Sequence, residues 1–177
     1  ANTIVESGLV LNLDAGNPYS YAGAGTTWYD VSGNSFNATL INSPTYTSDN
    51  GGVLNWASAN SQYATVPMSS TLRVASITEE VWVYLSGTAD QVFIGSQYGT
   101  SSNNSFAIWF QSGAFAFGVN TGGNFYYSTI STVSTGVWYN LTHTYNATTQ
   151  LFYINGVLAA TYNSAASGNI SYDTSNT

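Results

Sequence analysis

The chain has 177 residues, 44% hydrophobic, 15% aromatic and 5% charged, with one Arg, no Lys and a formal net charge of −7. The length fits one domain with a sizeable core, and nucleic acid is excluded as a partner because no basic patch exists to neutralise phosphates. No apolar run approaches the ~20 residues of a spanning helix, so membrane insertion is not expected, and the absence of Cys excludes disulfides, thiolate zinc sites and cysteine catalysis.

Taken in chain order, the apolar pattern has a period of two. Leu9–Leu13 alternates apolar and polar residues, as do Ile77–Leu85 and Val137–Tyr145, which is the pattern of half-buried strands. Between them, Asp30 precedes Ser32-Gly33-Asn34 and reads as a turn-former whose carboxylate bonds nearby backbone amides. Phe106–Phe110 and Ala114–Val119 flank Gln111-Ser112-Gly113, a hairpin signal. A second hairpin joins Gln150–Ile154 to Val157–Tyr162 through Asn155-Gly156, where both residues accept positive φ. Gln97–Asn104 and Asn120–Tyr127 read as loops, and Gly168–Tyr172 as one further short strand. No capped amphipathic helix interrupts the series. The fold class is therefore all-β, a sandwich or barrel, and no linker or composition break divides residues 1–177.

The carboxylates are few. Glu79-Glu80 is the only adjacent acidic pair, and neighbours on a strand point to opposite faces. Glycoside hydrolysis needs two carboxyl groups facing one bond, roughly 5–9.5 Å apart, so a hydrolase is disfavoured, and with it any catalytic residue. Glu79 shares the inward face of Ile77, Val81, Val83 and Leu85, and a buried carboxylate needs a partner or a proton. His143 shares a face with Val137, Tyr139, Leu141 and Tyr145. It reads as a satisfied core histidine in preference to a Glu79–His143 pair, because the sequence does not fix their distance. Asp14, Asp30 and Asp49 lie in or beside loops without EF-hand spacing, so no metal or other cofactor is expected and calcium is the disfavoured alternative. Asn37, Asn103, Asn140, Asn146 and Asn169 stand in glycosylation sequons, at about the number chance gives for this composition.

Five motifs in order carry a resemblance. They are Gly8-Leu9-Val10-Leu11-Asn12-Leu13-Asp14; Trp28-Tyr29-Asp30-Val31-Ser32-Gly33-Asn34; Ile77-Thr78-Glu79-Glu80-Val81-Trp82-Val83; Gly136-Val137-Trp138-Tyr139-Asn140-Leu141; and Leu151-Phe152-Tyr153-Ile154-Asn155-Gly156-Val157-Leu158. In this order they resemble the laminin-G-like domains of the concanavalin A-like lectin and glucanase superfamily. The Asp14–Tyr21 segment resembles the version found in bacteriophage virion proteins. The resemblance implies a two-sheet antiparallel jelly-roll sandwich. It also implies family acids before one strand, where this chain has Trp56-Ala57-Ser58-Ala59-Asn60-Ser61-Gln62-Tyr63, and this departure lowers the expectation of a family-type calcium site. The family pattern continues with two further strand motifs after the point where Thr177 stands. The expectation is a longer polypeptide, or another chain that completes the sheet.

Sugar recognition combines an aromatic platform with amides and hydroxyls. Tyr98, Asn103, Asn104, Asn124, Tyr126 and Tyr127 supply both types in the two loop-like segments and are the expected ligand-binding residues. Trp82, Trp109 and Trp138 read as core or sheet-face packing, and the resemblance, whose opening motif includes Tyr19, Tyr21 and Trp28, implies a structural role for those three. The expected function is a non-catalytic module on a virion surface or extracellular protein that binds cell-surface carbohydrate. The alternative is a structural domain whose partners are neighbouring protein subunits.

Overall fold

The computed structural model describes residues 5–97, 104–131, 133–162 and 167–172. They form two compact units, residues 1–72 and 73–177.

In the first unit, β1 (Thr27–Trp28) pairs with β2 (Ala38–Ile41), which pairs with β5 (Tyr63–Thr65). A separate hairpin joins β3 (Thr45–Thr47) to β4 (Val53–Asn55). The expected strand at Leu9–Leu13 forms no ladder. One of its donors, Asn12 N, is taken by the Asp30 carboxylate at 2.9 Å, and Asn12 O accepts from Val31 N at 2.9 Å. Asp30 is the turn-former its surroundings suggest. Its two oxygens also accept from Ser32 N (2.9 Å), Phe36 N (3.0 Å) and the Ser32 hydroxyl (2.8 Å). Burial alone would raise this carboxyl, but the bonds from Asn12, Ser32 and Phe36 outweigh it and hold it below its ordinary 3.8. A depressed carboxyl stabilises the fold above its unfolded value and loses that effect as pH falls through the folded one. Asp30→Ala is expected to cost about 1–3 kcal/mol near neutral pH, through the backbone donors it strands, and almost nothing in strong acid. Thermal melts of both forms across an acid series check this.

Of the aromatic residues expected to be structural here, Tyr21 is buried, bonds Gly25 O through its hydroxyl at 3.0 Å and meets Tyr46 edge-on. Trp28 is half-buried in β1, whereas Tyr19 projects into solvent.

Among the described residues, the second unit holds eight longer strands: β6 (Ile77–Tyr84), β7 (Gln91–Gln97), β8 (Asn104–Gln111), β9 (Ala114–Thr121), β10 (Asn124–Ser131), β11 (Trp138–Tyr145), β12 (Gln150–Ile154) and β13 (Val157–Tyr162). They make two four-stranded antiparallel sheets, in the orders β10-β9-β8-β7 and β13-β12-β11-β6. Ile108, Phe110, Phe115 and Phe117 from the first sheet meet Val83, Leu85, Leu141 and Phe152 from the second in one buried core. This is the two-sheet jelly-roll sandwich expected. Asn155 and Gly156 turn with φ of 51° and 77°, the left-handed pair a two-residue hairpin requires.

Two segments differ from the sequence reading. Asn120–Tyr127 is a hairpin, not a loop, because Gly122-Gly123 alone makes the turn and the flanking residues stay in the ladder, with Asn124 opposite Thr121. Gly168–Tyr172 forms no strand. Its amides reach separate places instead, Gly168 N bonding Ala147 O, Ile170 N bonding Ala75 O and Ser171 N bonding Asn120 O.

Candidate functional site

Strand alternation decides what each sheet shows to solvent. Along β6, Glu79 and Val83 are buried while Thr78, Glu80, Trp82 and Tyr84 face out. Along β11, Leu141, His143 and Tyr145 are buried, so Trp138, Asn140 and Thr142 lie on the outward side. Register then sets Trp138 opposite Tyr84, Asn140 opposite Trp82 and Thr142 opposite Glu80. Trp82 is 63% exposed and Tyr84 49%, with the Tyr84 and Trp138 rings 5.6 Å apart. The polar groups beside these rings are held in place. Asn140 Nδ2 donates to Glu80 Oε1 at 2.7 Å, Thr142 Oγ1 donates to Asn140 Oδ1 at 3.3 Å, and Asn140 N donates to Asn155 Oδ1 at 2.9 Å. The result is an exposed indole beside an oriented carboxylate, amide and hydroxyl, the combination that stacks on the apolar face of a sugar ring and bonds its hydroxyls.

Trp82 and Trp138 therefore lie on an outward sheet face, the second of the two placements expected for them. The signal was present in the sequence: if Glu79 points inward, Trp82 three residues later points outward.

The residues expected at the rim are placed as follows. Tyr98 and Asn103 lie outside the described residues. Asn104 opens β8 opposite Gln97, and Asn124 is exposed where β10 leaves its turn. Asn104 and Asn124 lie at the same end of the β10-β9-β8-β7 sheet. Tyr126 packs inward against the cluster of Val119, Tyr145 and Ile170. Tyr127 is 52% exposed on the outward face, 5.7 Å from Trp109, which also meets Phe125 at 5.8 Å. Gly118 makes this array compact. A Cβ there would meet Tyr127 Cβ and Tyr126 O at 2.7 Å and the Phe125 ring at 2.9 Å, so the aromatic side chains lie directly on the strand.

Between the sheets lies a buried polar chain. His143 Nδ1 and Glu79 Oε1 are 2.7 Å apart, His143 Nε2 and Gln150 Oε1 3.1 Å, and Gln150 Nε2 donates to Tyr126 O of the facing sheet at 3.2 Å. His143 is thus paired with Glu79, the arrangement the sequence reading had ranked second. Register explains it, since antiparallel pairing of β6 with β11 sets the two residues directly opposite one another. Because Gln150 gives its amide N–H to Tyr126, its oxygen faces the ring, which fixes a proton on Nε2. Burial pushes the Glu79 carboxyl up, against the lowering effects of the hydrogen bond and charge of His143. The other titratable group facing it is Tyr172, whose hydroxyl bonds Val74 O at 3.1 Å; burial, with the Glu79 charge, pushes it up to about 12. Glu79 and Glu80 lie on opposite faces of β6 and do not converge on one substrate bond. Among the described residues no three His, Cys, Asp or Glu side chains gather as metal ligands, and no helix is long and apolar enough to cross a membrane.

A two-sheet sandwich with aromatic and amide side chains on its outward faces is a lectin-like domain. The model of the concanavalin A-like lectin/glucanases superfamily, in its laminin-G form, matches residues 58–177, and the chain belongs to this family. Among solved structures, the chain is similar to the binding domain of Paraclostridial Mosquitocidal Protein 1, with a TM-score of 0.63 and 14% identity over 85% of this chain. It spans 41% of that protein's length. It is also similar to an S-layer domain-containing protein from Clostridium thermocellum, with a TM-score of 0.51 and 24% identity over 82% of this chain and 68% of the other. No curated protein sequence matches. These likenesses concern the fold, and the two structures are a mosquitocidal protein's binding domain and an S-layer domain-containing protein, not phage proteins.

Proposed function

We propose that the protein is a non-catalytic, externally displayed module that binds neutral carbohydrate on the outward face built by Trp82, Tyr84, Glu80, Asn140 and Thr142. The observation that carries this reading is the exposed Trp82 indole beside polar groups already fixed by the Asn140–Glu80 bond. Preorganised polar groups lose little freedom on binding. The hydroxyl-rich, cation-poor surface suits display outside a cell, on a virion or on a secreted protein, and the toxin relative is itself a binding domain. Binding is independent of calcium in this reading.

A glycan array tests it, run with calcium and with EDTA. Wild-type protein is expected to mark a subset of neutral glycans equally in both. Trp82→Ala, at an exposed position, is expected to fold normally and to weaken binding at least about 30-fold, the ~2 kcal/mol of an aromatic anchor. A blank array from folded protein, or an unaffected Trp82→Ala, overturns the proposal. Exposed Val157 and Leu158 on the edge strand β13 favour a second reading, a domain making subunit contacts. In that case sedimentation finds oligomers that Val157→Lys disperses.

A further inference from the structure

We infer that the module has a second carbohydrate subsite on the opposite side of the sandwich, in the groove lined by Asp90, Gln91, Val92, Trp109 and Gln111. The inference rests on the carbohydrate reading above and adds a site that shares no residue with the Trp82 face. The groove is open, about 330 Å³ in volume, and lies at the β8–β9 turn end of the β10-β9-β8-β7 sheet. That volume is at the small end of the roughly 300–1,000 Å³ of small-molecule sites, which suits about one sugar ring.

Its wall and polar groups are preset. The Trp109 ring is held from one side by Phe125 and Tyr127, and its Nε1 points to Gln111 Oε1 at 3.4 Å. Asp90 Oδ1 accepts from Ser112 N at 2.9 Å, which fixes the carboxylate and leaves its second oxygen for a ligand. A carboxylate oxygen accepts from sugar hydroxyls in charge-assisted bonds, and the amides of Gln91 and Gln111 offer both donors and acceptors. No cation lines the groove, and the chain carries a net charge of −7. Phosphorylated, sulfated and uronate sugars are repelled, so the ligand is a neutral pyranose. The two sheets meet through the core, so their outward faces point away from each other. One domain can then hold two glycan chains at once, and multivalency raises its hold on a glycan-covered surface without any new contact.

The test uses the whole protein labelled with 15N at its five indoles and titrated with cellohexaose, maltohexaose, mannohexaose and chitohexaose. The expected result is saturable shifts of both the Trp82 and Trp109 indole signals with at least one of these probes. Asp90→Asn keeps the acceptor for Ser112 and removes the free carboxylate oxygen. It is expected to weaken the Trp109 response about tenfold and leave the Trp82 response unchanged. Trp82→Ala is expected to leave the Trp109 response intact. If Trp82 responds and Trp109 does not, the groove proposal falls and the Trp82 reading stands. If Trp109 alone responds, the reverse holds. Silence of both with every probe overturns both.

Discussion

Replacing His143 with Ala is expected to lower the free energy of unfolding by about 3–5 kcal/mol at neutral pH, the cost of removing one partner from a buried, hydrogen-bonded Glu–His pair. The imidazole is fully buried and bonded on both nitrogens, so its removal strands Glu79 Oε1 and Gln150 Oε1 together. Glu79 Oε2 already has no partner among the described residues, which leaves the carboxylate no alternative bond. The penalty should shrink in acid, where the abandoned carboxyl takes up a proton. In the wild type, burial raises the folded Glu79 carboxyl above the ordinary 4.5 of the unfolded glutamate, so the folded carboxyl holds a proton that the unfolded one has lost. Folding is then coupled to proton uptake, so this contribution is complete below 4.5 and fades as pH rises through the raised folded value. Glu79→Gln keeps a donor toward Nδ1 and cannot ionise, and is expected to flatten that slope. Urea unfolding of the three forms across a pH series measures both effects, and a wild-type slope that persists in Glu79→Gln would rule out this pair as its source.

Phe117→Ala should be comparably damaging, at about 3–5 kcal/mol, through lost burial and the cavity left behind. Its ring is fully buried and stacked on Phe152 with centroids 4.3 Å apart and planes within 9°, and it also faces the His143 imidazole at 5.0 Å. The ring joins the two sheets and shields the polar chain from water. Phe117→Leu fills much of the space and should cost appreciably less. The double variant with His143→Ala should deviate from additivity, since the two side chains touch. Chemical denaturation of the four forms gives the coupling energy directly.

Much of this architecture was legible from local pattern. Ile77–Leu85 and Val137–Tyr145 alternate so regularly that their inward and outward residues could be assigned in advance, and Asn155-Gly156 marked its hairpin to the residue. Leu9–Leu13 had the same alternation but formed no ladder, because a side chain 18 positions away took its donor. The Glu79–His143 bond spans 64 positions and depends on the register of two distant strands, which no local pattern encodes. The outward placement of Trp82 followed from the inward assignment of Glu79, three residues earlier on the same strand. Tyr126 and Tyr127 show the reverse problem. Adjacent in sequence and alike in chemistry, they part to opposite faces once their segment is a strand.

The lone arginine has a practical consequence. Trypsin cleaves only after Lys and Arg, and the chain offers it one bond, that following Arg73, the first residue of the second compact unit. The Arg73 Nε is buried, so cutting there requires the segment to open locally. Tryptic proteolysis of the chain therefore yields two fragments, 1–73 and 74–177, at a rate that reports local opening around Arg73.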